Sequence, residues 1–95
     1  MATVTAVRIR IPAPLRPLTG GQGEVTSDPG SLKDVIAALD VAYPGLKDRI
    51  LEPEGRVREF VNIFVNEEDV RFLQGPETEL RAGDRVSILP AVAGG

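Results

Sequence analysis

One amphipathic helix pattern, flanked on both sides by short alternating segments, most constrains what this 95-residue chain can fold into. Leu32, Val35, Ile36, Leu39 and Tyr43 fall at i, i+3, i+4, i+7 and i+11, a spacing that gathers them on one helix face. Ser31 supplies an N-cap oxygen, and Asp34 places a carboxylate in the first turn, near the positive end of the helix dipole. Pro44 biases its predecessor away from helix, so the helix is expected to end at Ala42 or Tyr43. A lone helix of this kind covers one face of one sheet.

The sheet is read from the remaining segments. Over residues 4–11, Val7, Ile9 and Ile11 alternate with Arg8 and Arg10, the period of a half-buried strand. Pro12 ends it, and Pro14 and Pro17 are expected to keep the next stretch irregular. Thr19 to Gly23 reads as a turn into a short return strand, Glu24–Ser27. Beyond the helix, Gly45 to Leu51 predicts one further turn with Leu46, Ile50 and Leu51 inward, and residues 52–56 a polar loop. Phe60–Val65 is the strongest strand; Asn66 to Asp69 reads as its turn into a strand at Val70-Arg71-Phe72. Gly75-Pro76 breaks the chain, Gly83 is the expected left-handed residue of a tight connector, and Arg85–Leu89 is the last strand. The order β-β-α-β-β-β predicts an α+β fold of the β-grasp (ubiquitin-like) type, a mixed sheet covered on one face by a single main helix. No second long helical pattern supports a split βαβ alternative. Residues 1–95 read as one domain, with 90–95 as a flexible C-terminal tail.

Composition removes several functions. Without cysteine or histidine the chain lacks a thiolate, the commonest general base and the commonest metal ligand, so no catalytic residue, metal site or cofactor site is assigned. Ser27, Ser31 and Ser87 have no base to activate them. A net charge of −3 with no basic block argues against nucleic acid. No apolar run reaches the roughly 20 residues that cross a bilayer, and residues 1–5 carry no secretory signal pattern, so a cytoplasmic protein is expected. Gly20-Gly21-Gln22-Gly23 leads into a strand and not a helix N-terminus, which favours a turn over a phosphate cradle. Glu67-Glu68-Asp69 has no second acidic cluster to complete a cation site and reads as a solvated turn.

Alternation leaves two registers for the sheet. In the one favoured here, Val61, Ile63, Val65, Val86 and Ile88 face the helix. Phe60, Phe64 and Leu89 then form an apolar patch on the open face, the kind of patch that marks a partner-docking surface. The other register buries the phenylalanines.

The C-terminal pattern Leu80-x-x-Gly83-Asp84-x-Val86-x-Ile88-Leu89-Pro90-x-Val92-x-Gly94-Gly95 resembles the signature of the ThiS/MoaD family of ubiquitin-like sulfur carriers. Pro12-x-x-Leu15-Arg16-x-x-Thr19-Gly20-Gly21 resembles the family's segment after the first strand. Residues 60–72 and the Ala91-Val92-Ala93-Gly94-Gly95 ending are most similar to the actinobacterial branch that serves cysteine biosynthesis. The resemblance implies a protein that is not an enzyme but the substrate of an E1-like adenylating enzyme. Its Gly95 carboxylate would be adenylated with ATP and converted to a thiocarboxylate. In the cysteine branch a PLP-dependent cysteine synthase then uses that sulfur with O-phosphoserine, and a metal-dependent peptidase releases the product. ATP, PLP and zinc therefore belong to the partners, and no cofactor is implied in this chain. A small subunit of molybdopterin synthase, a thiamin-thiazole or secondary-metabolite carrier, and a ubiquitin-like binding or conjugation module are the alternatives.

The tail suits that role. Glycine lacks the Cβ that would obstruct a narrow channel. Extended chain from Pro90 to Gly95 reaches about 20 Å at roughly 3.3–3.6 Å per residue, enough to place Gly95 inside a partner while the body stays outside. Small Ala91 and Ala93 keep it thin, Val92 is positioned to anchor in an apolar pocket, and Val92, Ala93, Gly94 and Gly95 are the residues expected to enter a partner. A Gly-Gly end alone arises by chance in roughly 0.5% of chains, so it carries weight only together with the strand and turn that precede it.

Overall fold

The computed structural model describes residues 6–90. Its main sheet has five strands in the order β2-β1-β7-β4-β5: β1 is Val7–Arg10, β2 Glu24–Ser27, β4 Val61–Val65, β5 Glu68–Asp69 and β7 Arg85–Pro90. β1 pairs antiparallel with β2 and parallel with β7, which makes the sheet mixed at its centre. A two-stranded ribbon joins β3, Gly30–Ser31, to β6, Glu79–Leu80. The helix α1, Leu32–Ala42, and the short α2, Leu46–Ile50, pack on one face of the sheet. This is the β-grasp arrangement expected from the element order.

The helix forms where its caps place it. Ser31 Oγ accepts the Asp34 N–H at 3.2 Å, and Tyr43 closes the last turn through its N–H to the Leu39 carbonyl at 2.7 Å. Leu32, Val35, Ile36 and Leu39 are buried, and Tyr43 is partly so. Asp40 Oδ1 then accepts the Gly45 and Lys47 N–H groups, each at 3.0 Å, and sets α2 so that Leu46, Ile50 and Leu51 turn inward. Against this layer the sheet contributes Val7, Ile9, Val25, Ile63, Val65, Val86 and Ile88, all buried. The alternation in β1, β4 and β7 is thus resolved in favour of the register that leaves the phenylalanines off the core.

Five expectations require correction. The Pro12–Thr19 stretch is not irregular: Ala13–Thr19 is a 3-10 helix, a conformation that the fixed proline φ accommodates, and Gly20 (φ 64°) closes it in the left-handed region. The strand expected at Val70-Arg71-Phe72 is a 3-10 turn, because Asp69 Oδ1 accepts the Arg71 N–H at 2.8 Å and caps it as a helix start. The pairing segment is instead Glu68–Asp69, inside the expected turn, and the turn proper is the two residues Asn66 and Glu67. Phe60 precedes β4 and does not begin it, and Pro90, expected to open the tail, is the last residue of β7 and stands opposite Val61. No helix among the described residues is long and apolar enough to cross a membrane.

Candidate functional site

The face of the sheet turned away from the helices is assembled in cross-strand rows. Nearest the C-terminal end of β7, Leu89 lies opposite Asn62. The next row runs Glu24, Arg10, Ser87, Phe64 and Asp69 across all five strands. The last row sets Thr26, Arg8 and Arg85 side by side at the start of β7. Phe60 is 64% exposed and Leu89 45%, while Phe64 is half-buried. Of the three apolar residues expected on the open face, Phe64 and Leu89 take that register in β4 and β7, while Phe60 is exposed just ahead of β4.

The apolar half of this face is bounded by a clamp. Arg71 donates through Nη2 to Asp69 Oδ2 at 2.9 Å and through Nε to Asp69 Oδ1 at 3.3 Å, and the same Nη2 also bonds Asn62 Oδ1. The hydrogen bonds from Arg71 hold the Asp69 carboxyl below its ordinary range, and its positive charge adds to the effect. The Asp69 carboxylate thus serves Arg71, and among the described residues no group of acidic side chains is able to hold a metal ion.

Two features of the site escaped the sequence. Phe72, placed there in a strand, is 86% exposed in the turn after β5 and enlarges the apolar area beside β4. Arg8, Arg10 and Arg85 line one shallow groove. Alternation shows that Arg8 and Arg10 point the same way, but only the parallel pairing of β1 with β7 brings Arg85 to them. Val92, Ala93, Gly94 and Gly95 lie outside the described residues; what the structure fixes is the strand from which they continue. That strand is paired with β1 over Arg85–Ser87 and with β4 from Val86 up to Pro90, which stands opposite Val61.

Comparison with known proteins bears on the whole chain. Residues 9–95 match the ThiS family. The chain is 48% identical over 91 residues to the sulfur carrier protein CysO of Mycobacterium tuberculosis, covering 94% of this chain and 98% of that one. It is 41% identical over 68 residues to small archaeal modifier protein 3 of Haloferax volcanii, covering 72% and 73%. Among solved structures it superposes on one chain of the Amycolatopsis orientalis BexX/CysO complex with a TM-score of 0.89 and 41% identity, covering 95% of this chain and 100% of that one.

Proposed function

The chain belongs to the ThiS family, and from that premise we propose that it is a sulfur carrier whose Gly95 carboxylate is the loaded group. One observation carries the reading: the family match runs without a break from the first strand to Gly95 itself, on a fold shared with CysO. In this reading the chain acts as a substrate and its partners supply the catalysis, in keeping with a sequence that has neither histidine nor cysteine.

The chemistry follows from the weakness of a carboxylate as an electrophile. A Gly95 carboxylate oxygen attacks the α-phosphorus of ATP in an E1-like enzyme, releasing pyrophosphate and forming an acyl-adenylate. Sulfide then adds to that carbonyl, AMP leaves, and the thiocarboxylate remains. The thiocarboxylate sulfur is the nucleophile that a PLP-dependent cysteine synthase consumes for cysteine or a related metabolite, and a metal-dependent peptidase frees the product. The partners hold ATP, PLP and zinc.

Each part of the site has a task in this scheme. β7, paired with β1 at its start and with β4 up to Pro90, is the base from which the tail is presented. Val92, Ala93 and Gly94 enter the partner with Gly95, and Phe60, Phe64 and Leu89 dock the surface beside the tail's point of departure. A second reading, transfer of the activated carboxyl to a lysine amine, is favoured by the similarity to the archaeal modifier protein. Intact mass after incubation with ATP, sulfide and the host's E1-like enzyme separates these readings. Exchange of one oxygen for sulfur supports the carrier; an adduct with a second protein supports conjugation. An unchanged mass, under conditions that load a control carrier, contradicts both.

A further inference from the structure

We propose that the arginine end of the open sheet face seats an acidic segment of the partner protein that activates the tail. The proposal deepens the carrier reading and rests on it for the identity of that partner.

Arg8 and Arg85 stand in register across the parallel β1–β7 pair, and Arg10 follows two residues along β1. All three are exposed and line one groove, with Ser87 and Asn66 beside them. Like charges placed directly opposite one another destabilise a strand pair. Yet the described ion pairs engage Lys33, Arg56, Arg58 and Arg71, and none involves Arg8, Arg10 or Arg85. The nearby acids are not bonded to them. Glu24 is Arg10's cross-strand neighbour and Glu67 lines the same groove, but neither forms an ion pair, and Asp84 accepts from Asn66 Nδ2 and the Arg81 N–H. Three guanidinium groups outside any described ion pair thus share one groove with two carboxylates, a locally positive face on a chain whose net charge is −3.

The occupant is a protein segment because the arginines continue the apolar patch. Arg10, Ser87 and Phe64 occupy one cross-strand row, so whatever covers Phe64 borders Arg10. Pro90 lies five steps along the strand from Arg85, about 17 Å at roughly 3.3 Å per residue. A partner that takes the tail beyond Pro90 and covers Leu89 must extend that far back to meet the arginines. Aspartate or glutamate side chains there match the planar fork of arginine, and the charge complementarity speeds encounter and selects the partner. A chain with this overall acidity gives nucleic acid no comparable attraction.

The test is the affinity of the full chain for the host's E1-like enzyme at several salt concentrations. The double charge reversal Arg8→Glu with Arg85→Glu is expected to weaken binding by about tenfold or more at low salt and to flatten its salt dependence. Arg8→Lys with Arg85→Lys is expected to keep most of both. If the reversed chain misfolds by circular dichroism, Arg8→Gln with Arg85→Gln serves, with the same flattened salt dependence expected. Unchanged affinity and salt dependence in the folded variant would overturn the proposal, as would arginine-dependent binding of duplex DNA in place of the enzyme. The carrier reading fails separately: arginine-dependent binding without any sulfur exchange at Gly95 would remove that reading and leave this surface standing.

Discussion

Asn66 Nδ2 donates to Asp84 Oδ1 at 2.9 Å and ties the β4–β5 turn to the turn that starts β7. The same amide accepts the Arg85 N–H through Oδ1 at 3.0 Å, and the Asn66 N–H reaches the Arg85 carbonyl at 2.9 Å. Asp84 Oδ2 in turn accepts the Arg81 N–H at 2.8 Å. Together they lock the register of β4 on β7. A one-residue slip would carry Phe64 to the helix side and Ile63 to solvent. Asn66→Ala and Asp84→Ala are each expected to cost about 1–2 kcal/mol. In a double-mutant cycle followed by urea unfolding, their effects should couple by more than about 0.5 kcal/mol. Strict additivity would mean that the two turns are set independently.

The neighbouring residue holds strain that a substitution can relieve. Glu67 has φ 77° and Asn66 φ 50°, the left-handed pair of a two-residue hairpin turn. A non-glycine residue there costs about 1–2 kcal/mol, whereas glycine adds about 0.5–1 kcal/mol through the freedom it loses on folding. Glu67→Gly is therefore expected to stabilise the chain by about 0.5–1 kcal/mol, read as a higher urea midpoint with an unchanged m-value.

The Asp69–Arg71 clamp predicts a pH dependence of definite sign. Hydrogen bonds from Arg71 lower the folded-state pKa of Asp69 below its unfolded value. Its contribution is fully present above the unfolded value, about 3.9, and is lost as pH falls through the lower folded value. Wild type should be more stable than Arg71→Leu at neutral pH, and the difference should shrink steadily as pH falls below about 4. A difference that stayed constant over that range would show that Arg71 acts through packing alone.

These two turns also show where sequence reasoning stops. The helix was legible because its signals are local: Ser31 caps it, the buried face repeats over three turns, and Pro44 ends it. Alternation likewise placed Ile63, Val65, Val86 and Ile88 in the core and left Phe64 and Leu89 outside. The pairing of Gly30–Ser31 with Glu79–Leu80 was not legible, since two residues carry no period and their partners lie far apart in the chain. Nor was the 3-10 turn at Val70, where an apolar-polar-apolar triplet mimics a strand while the Asp69 cap decides otherwise. The arginine groove needed the parallel register of β1 on β7, which no local pattern specifies.

The apolar end of the open face can be tested apart from the fold. Phe64→Asp changes a half-buried side chain on the face away from the core, so the chain should remain folded with the same near-native circular dichroism. If this face docks the activating enzyme, the KM for the chain should rise by about tenfold or more, within the range of hot-spot truncations. An unfolded variant would place Phe64 in the core, and an unchanged KM would remove it from the docking surface. Leu89→Asp, 45% exposed in the native chain, provides the same test nearer the tail.

The central claim is that Gly95 carries the sulfur, and fragmentation mass spectrometry of the intact chain tests it most directly. After incubation with ATP, sulfide and the host's E1-like enzyme, the exchanged atom should map to the terminal carboxyl. Addition of O-phosphoserine and the PLP-dependent synthase should convert it to a cysteine adduct at the same terminus, which a metal-dependent peptidase then cleaves to restore the Gly95 carboxylate, and a chain lacking Gly95 should show no exchange. The core among the described residues is built from residues 7–88, so that shortened chain should unfold at the same temperature as wild type. Sulfur located anywhere else, or exchange that persists without Gly95, would contradict the account.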